Sequence, residues 1–118
     1  MQVKDPKEVK ERTAPQNLFQ REKQITINDV TFKLKRMTLR EELEWYGERD
    51  EIMQDKNLSN RDKIILVWER LLRKVIVEPK LESYTEELPA TVVARLIDEI
   101  TKLHLWDMDF TRYKQGLS

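Results

Sequence analysis

The sequence predicts a mainly α protein: a small domain of three to four helices with an N-terminal β-hairpin and a flexible N-terminal arm. Three observations carry that expectation. Apolar residues recur at helical spacing in separate blocks beyond residue 38, and one stretch of strict alternation lies just before them. The first 24 residues hold Pro6 and Pro15, few large apolar groups and no sustained period. We therefore divide the chain into an arm, residues 1–24, and a single α-rich domain, residues 25–118. One domain is the natural count for 118 residues.

Within the domain, Ile25 and Ile27 alternate with polar residues, as do Val30, Phe32 and Leu34. Asn28-Asp29 between the runs suits a tight turn. Pairing Ile27 with Val30 and Ile25 with Phe32 places all five apolar side chains on one face. Two strands alone are marginal, so the ribbon must pack on the helices or recruit a strand from a neighbouring copy. Lys33, Lys35 and Arg36 would restrain uncontrolled pairing along an open edge.

Thr38-Leu39-Arg40-Glu41 matches a capping box and predicts a helix start. Leu39, Leu43, Tyr46 and Met53 lie near one face of that helix, with Trp45 and Ile52 widening it. Gly47 is a place for a bend or an early end. Asn57, Ser59 or Asn60 then caps a second helix over about residues 60–77. Its apolar residues Ile64, Ile65, Val67, Trp68, Leu71, Leu72, Val75 and Ile76 exceed a narrow stripe, which predicts a central element covered on two sides.

Two prolines punctuate the C-terminal part of the chain. Pro79 stops the second helix, because proline removes a backbone donor and restricts the residue before it. Pro89 starts the third, where a missing N–H is no loss. Leu81, Tyr84 and Leu88 are placed to pin the connector to the core. Val92, Val93, Leu96, Ile97, Ile100 and Leu103 give the third helix its apolar face. Trp106, Met108, Phe110 and Tyr113 then predict a terminal segment folded back over the helices.

Composition narrows the function classes. Without cysteine there is no disulfide, thiolate catalysis or cysteine-bound zinc, and a reducing compartment fits. No run approaches the roughly 18 apolar residues of a membrane span, and the N-terminus lacks the apolar middle of a secretory signal. Twenty-two basic residues balance twenty-two acidic ones. That balance argues against a general electrostatic grip on nucleic acid. Residues 1–36 carry nine basic and five acidic side chains, an asymmetry that suits a solvated surface or subunit docking.

Nothing in the pattern predicts catalysis. His104 has Asp107 and Asp109 nearby but no third convergent ligand, so no metal is expected. Glu41, Glu42 and Glu44 are carboxylates of a charge-rich helix rather than a general acid and base. Gly47 and Gly116 are isolated, so there is no phosphate-cradling loop, and Ser59, Ser83 and Ser118 lack a local catalytic motif. No cofactor is expected. A helix-turn-helix regulator is the alternative, with Lys56, Arg61, Lys63, Arg70, Arg73 and Lys74 around the second helix. The connector to the third helix is long and acidic for that motif. A structural adaptor or oligomerisation module is a further alternative.

The run FKLKRMTLREELEWYGERD, the central apolar helix, VEPKL and ELPATVVARLIDEITKL together resemble tail assembly chaperones of long-tailed bacteriophages and related prophages. The resemblance covers about residues 25–105 and is carried best by Glu78-Pro79-Lys80-Leu81 and Leu88-Pro89-Ala90. It implies a non-catalytic α-rich protein that binds the tape-measure protein in the host cytoplasm and keeps its apolar segments soluble. Such a protein leaves as tail-tube subunits polymerise and is not expected in the mature virion. It also implies self-association, and a longer frameshifted form beside this short one. Thr38, Glu41, Pro79, Leu81, Leu88 and Pro89 become landmarks of the fold. Leu39, Leu43, Tyr46, Met53, Trp106, Met108 and Phe110 become candidate partner contacts.

Overall fold

Strands β1 (Glu22–Ile27) and β2 (Val30–Lys35) form the hairpin in the expected register, Ile27 opposite Val30 and Ile25 opposite Phe32. The computed structural model describes residues 19–106. Most of the predicted arm therefore lies outside the described residues, as do Met108, Phe110 and Tyr113. The arm boundary shifts: β1 starts at Glu22, inside the stretch assigned to the arm. Asn28 and Asp29 both hold positive φ, 49° and 68°, which is the turn that matches the twist of a two-residue hairpin. Ile25, Phe32 and Leu34 are buried, whereas Val30 at the tip overhangs the core and is exposed.

Helix α1 (Leu39–Gln54) begins with the capping box. The Glu41 N–H donates to Thr38 Oγ1 at 3.2 Å, and Glu41 Oε1 accepts from the Thr38 N–H at 2.9 Å. Replacing Thr38 with alanine should cost about 1 kcal/mol. The helix runs through Gly47 without ending. Trp45 and Ile52 enter the core, while Leu39, Leu43 and Met53 of the same helix remain outside.

Helix α2 (Asn60–Val75) is capped by Ser59, whose Oγ accepts from the Asp62 N–H. It stops before the predicted residue 77. Ile76–Glu78 leave the helix and become β3, antiparallel to β2, so the sheet order is β1-β2-β3. The β-branched run Val75-Ile76-Val77 suits that change, because such side chains pack well on a pleated surface. Pro79 thus follows a strand, through a cis Glu78–Pro79 bond, rather than terminating the helix directly. The third strand comes from this same chain, not from a neighbouring copy.

The connector includes one helical turn, α3 (Tyr84–Glu87), and α4 (Ala90–Leu103) follows. Pro89 is the cap just outside α4, with its carbonyl accepting from the Val92 and Val93 N–H groups. The core joins one face of the sheet to α1, α2 and α4 through Phe32, Leu34, Leu72, Val75, Ile76, Tyr84, Leu96, Ile100 and Leu103. Truncating Leu72 or Leu96, both fully buried, should cost about 2–5 kcal/mol. The result is mainly α with an antiparallel sheet on the N-terminal side. No helix among the described residues is long and apolar enough to cross a membrane.

Candidate partner-binding surface

The core takes in part of the apolar material and leaves two patches outside. The first arises from the 100° step of a helix, which separates Trp45 and Ile52 from the flank carrying Leu39, Leu43 and Met53. Those three side chains are 74%, 58% and 47% exposed. Gly47 stands one turn beyond Leu43 on the same flank and is exposed; a Cβ placed there would meet nothing within 4 Å among the described residues. Three of the candidate contacts are thus open to solvent.

Tyr46 and Trp106, also candidates, are occupied in the fold. The Trp106 ring stacks on Trp45 with centroids 5.3 Å apart and on His104 at 4.6 Å. Its indole N–H donates to Glu42 Oε1 at 3.0 Å, and the Tyr46 hydroxyl donates to the same oxygen at 2.8 Å. Burial, aided by that bond to Glu42, pushes the Tyr46 phenol above its ordinary value. These two aromatic residues join the end of α4 to α1. The Arg49 guanidinium lies over the rings of Trp45 and Tyr46, closing the cluster on its outer side.

The second patch was unexpected. In α2 the buried residues are Val67, Leu71, Leu72 and Val75, none of them in the first two turns; Ile64, Ile65 and Trp68 are exposed. The first half overhangs the elements that cover the second. Beside it, Ile65 and Trp68 line a shallow groove of ≈ 200 Å³ with Thr85, Leu88, Ala90 and Val93. Helical periodicity identifies these α2 residues as apolar but does not show where neighbouring elements end.

Glu69 holds one wall of the groove in place, a role that no local sequence pattern signals. Its carboxylate accepts from the Ser83 hydroxyl, the Tyr84 N–H, and both the N–H and the hydroxyl of Thr85, at 2.8–3.1 Å. Arg73 also pairs with it at 2.9 Å. Burial opposes ionisation, but these donors outweigh it and hold the carboxyl below the ordinary carboxylate range. A partly buried anion at the start of α3 satisfies N–H groups that the short turn cannot satisfy itself. Tyr84, almost wholly buried, completes the pinning by donating to the Pro79 carbonyl at 2.9 Å.

Two further polar contacts fasten the frame. Lys23 of β1 is paired with Glu99 of α4, and the hydrogen bond from Lys23 is the main reason that the Glu99 carboxyl is held low. His104 is buried, with Nε2 accepting from the Met37 N–H and Nδ1 facing the Ile100 carbonyl, both at 2.8 Å. That geometry uses both ring nitrogens, consistent with a hydrogen-bonded core histidine. Among the described residues, no group of three or more His, Cys, Asp or Glu side chains is placed to hold a metal; Asp107 and Asp109 lie outside them.

Four of the six basic groups named around α2 are engaged, while Lys56 and Arg61 are exposed. Arg70 and Lys74 pair with Glu48, Arg73 with Glu69 and the Glu82 carbonyl, and Lys63 with the Met53 carbonyl. Compared with family models, curated proteins and solved structures, the chain gives no match.

Proposed function

We propose that this protein is a non-catalytic assembly chaperone of the kind that long-tailed bacteriophages use for the tape-measure protein. The observation that carries the reading is the exposed apolar flank of α1, Leu39, Leu43 and Met53, on a domain with an otherwise filled core. Such a surface can shield apolar segments of a long helical client, and the charged exterior would keep the complex in solution. The landmarks Glu78-Pro79-Lys80-Leu81 and Leu88-Pro89-Ala90 support the same reading through their resemblance to that family.

In this proposal the chaperone acts in the host cytoplasm, self-associates around its client, and departs as tail-tube subunits polymerise. Among the described residues the outer edge of β1 pairs with no further strand, which offers one route to self-association. A nucleic-acid role draws less support, because several basic groups of α2 already have acidic partners. The test is co-expression with a large tape-measure protein of a long-tailed bacteriophage. Co-purification and a rise in client solubility are expected, both weakened in a Leu39→Glu/Leu43→Glu double variant that keeps its helical content. A client that stays insoluble and never co-purifies rejects the proposal.

A further inference from the structure

We infer that the chain's own segment 107–110 lies along α1 from Tyr46 to Met53 and covers the Met53 end of the apolar flank. Its direction comes from two fixed points. His104, at the close of α4, holds the Met37 N–H just before α1 begins. Two residues later, Trp106 is bonded to Glu42 and packs beside Tyr46, one to two turns further along the same helix. The chain is therefore travelling from the start of α1 toward its end when residue 107 begins. Glu42, Tyr46, Arg49 and Met53 succeed one another at spacings of four, three and four, which places them in one strip along the helix. Trp106 occupies the first half of that strip, and Met53, 47% exposed, ends it.

The sequence supplies a segment that fits the second half. After Trp106 it reads Asp107-Met108-Asp109-Phe110, polar and apolar in strict alternation. In an extended chain that alternation puts Met108 and Phe110 on the face that Trp106 turns to α1, with both aspartates on the other. The lengths agree: four extended residues span about 13 Å, and the seven positions from Tyr46 to Met53 rise about 10 Å along a helix. Phe110 then reaches Met53, with Met108 midway beside Arg49. Tethered at Trp106, the segment competes for the strip at an effective concentration of about millimolar, which favours it over a second copy. The seat does not depend on the chaperone reading. It changes what that reading requires, because a client taking the whole flank must displace Phe110 from Met53, whereas Leu39 and Leu43 lie beyond the segment's path.

The chain has no cysteine, so Thr111→Cys carries a single nitroxide. Backbone amide resonances should broaden most at Arg49–Met53 and progressively less toward Leu39. The broadening should vanish when spin-labelled chains are mixed with isotope-labelled chains that lack the nitroxide. Phe110→Ser in the spin-labelled chain should abolish the gradient and leave the circular dichroism unchanged, because the described core closes without Phe110. A flat profile, a maximum at Leu39, or a gradient that survives Phe110→Ser overturns the inference. So does broadening that persists in the mixture, since the segment would then belong to a second copy. Co-expressed with a tape-measure protein, Phe110→Ser should raise client capture about threefold by removing the competitor. Equal or lower capture overturns the competition. No capture by either chain, with the gradient intact, rejects the chaperone reading and retains the seat.

Discussion

The backbone N–H of Met37 donates to Nε2 of His104 across 67 positions of sequence, at 2.8 Å. The bond joins the segment leading into α1 to the end of α4, and it requires an unprotonated Nε2. Burial lowers the His104 pKa, with Arg36 acting in the same direction and Glu42 and the Ile100 carbonyl opposing.

Stability should therefore depend on pH. The folded pKa lies below the unfolded value of about 6.5, so the stabilisation is complete above that value. It is lost as the pH falls below it, because the unfolded chain takes up the proton first. Urea midpoints measured between about pH 7.5 and pH 5.5 should fall with acidity. His104→Leu should be less stable at neutral pH by about 1–3 kcal/mol, through the orphaned Met37 N–H, and should lose most of that slope. An unchanged slope would refute the assignment.

Glu69 sets a second, more acidic window. Its lowered pKa means that its contribution is present above the unfolded carboxyl value of about 4.3 and is lost as the pH falls through the folded value. Glu69→Gln should cost about 2 kcal/mol by denaturant unfolding, because a neutral amide cannot accept from all the donors at Ser83, Tyr84 and Thr85. Amide exchange at Tyr84 and Thr85 should accelerate in the same variant. Protection that survives the substitution would refute the proposed role.

Leu105 holds φ at 62°, in the left-handed region that favours glycine. Its N–H bonds to the Lys102 carbonyl and the next N–H, from Trp106, bonds to the Thr101 carbonyl, which closes α4 in a Schellman turn. Leu105→Gly should therefore raise stability by about 1 kcal/mol, as measured by urea denaturation. A loss would mean that the leucine side chain contributes more than its backbone costs.

Asp29 offers a smaller gain at the hairpin. With φ at 68° it occupies the turn position where glycine is most favourable. Asp29→Gly should add about 0.5 kcal/mol without altering the pairing of Ile27 with Val30, which cross-strand nuclear Overhauser effects can check. A shifted register would refute the prediction.

What the sequence revealed was local. The capping box at Thr38, the hairpin register and the apolar face of α4 each depend on residues close together in the chain. The third strand did not announce itself, because Ile76–Glu78 continue an apolar helical period and only pairing with β2 makes them a strand. Glu69 was equally opaque, since its donors lie 14 to 16 positions away. For the candidate surface, residue type identified Leu39 and Leu43, but which apolar face is left over depends on what covers the other. That is why Tyr46 and Trp106 went to internal packing while Ile64, Ile65 and Trp68 stayed outside.

The position of β3 sets an order of events during synthesis. The hairpin leaves the ribosome before the rest of the described fold, yet its neighbouring strand begins only at Ile76 and the helix across its buried face only at Ala90. A two-stranded ribbon without those partners is marginal in water. The hairpin must therefore wait for segments made much later, and a nascent chain halted at Val75 should show no amide protection in it. Release of α4, rather than completion of β1 and β2, is the step that commits this protein to its fold.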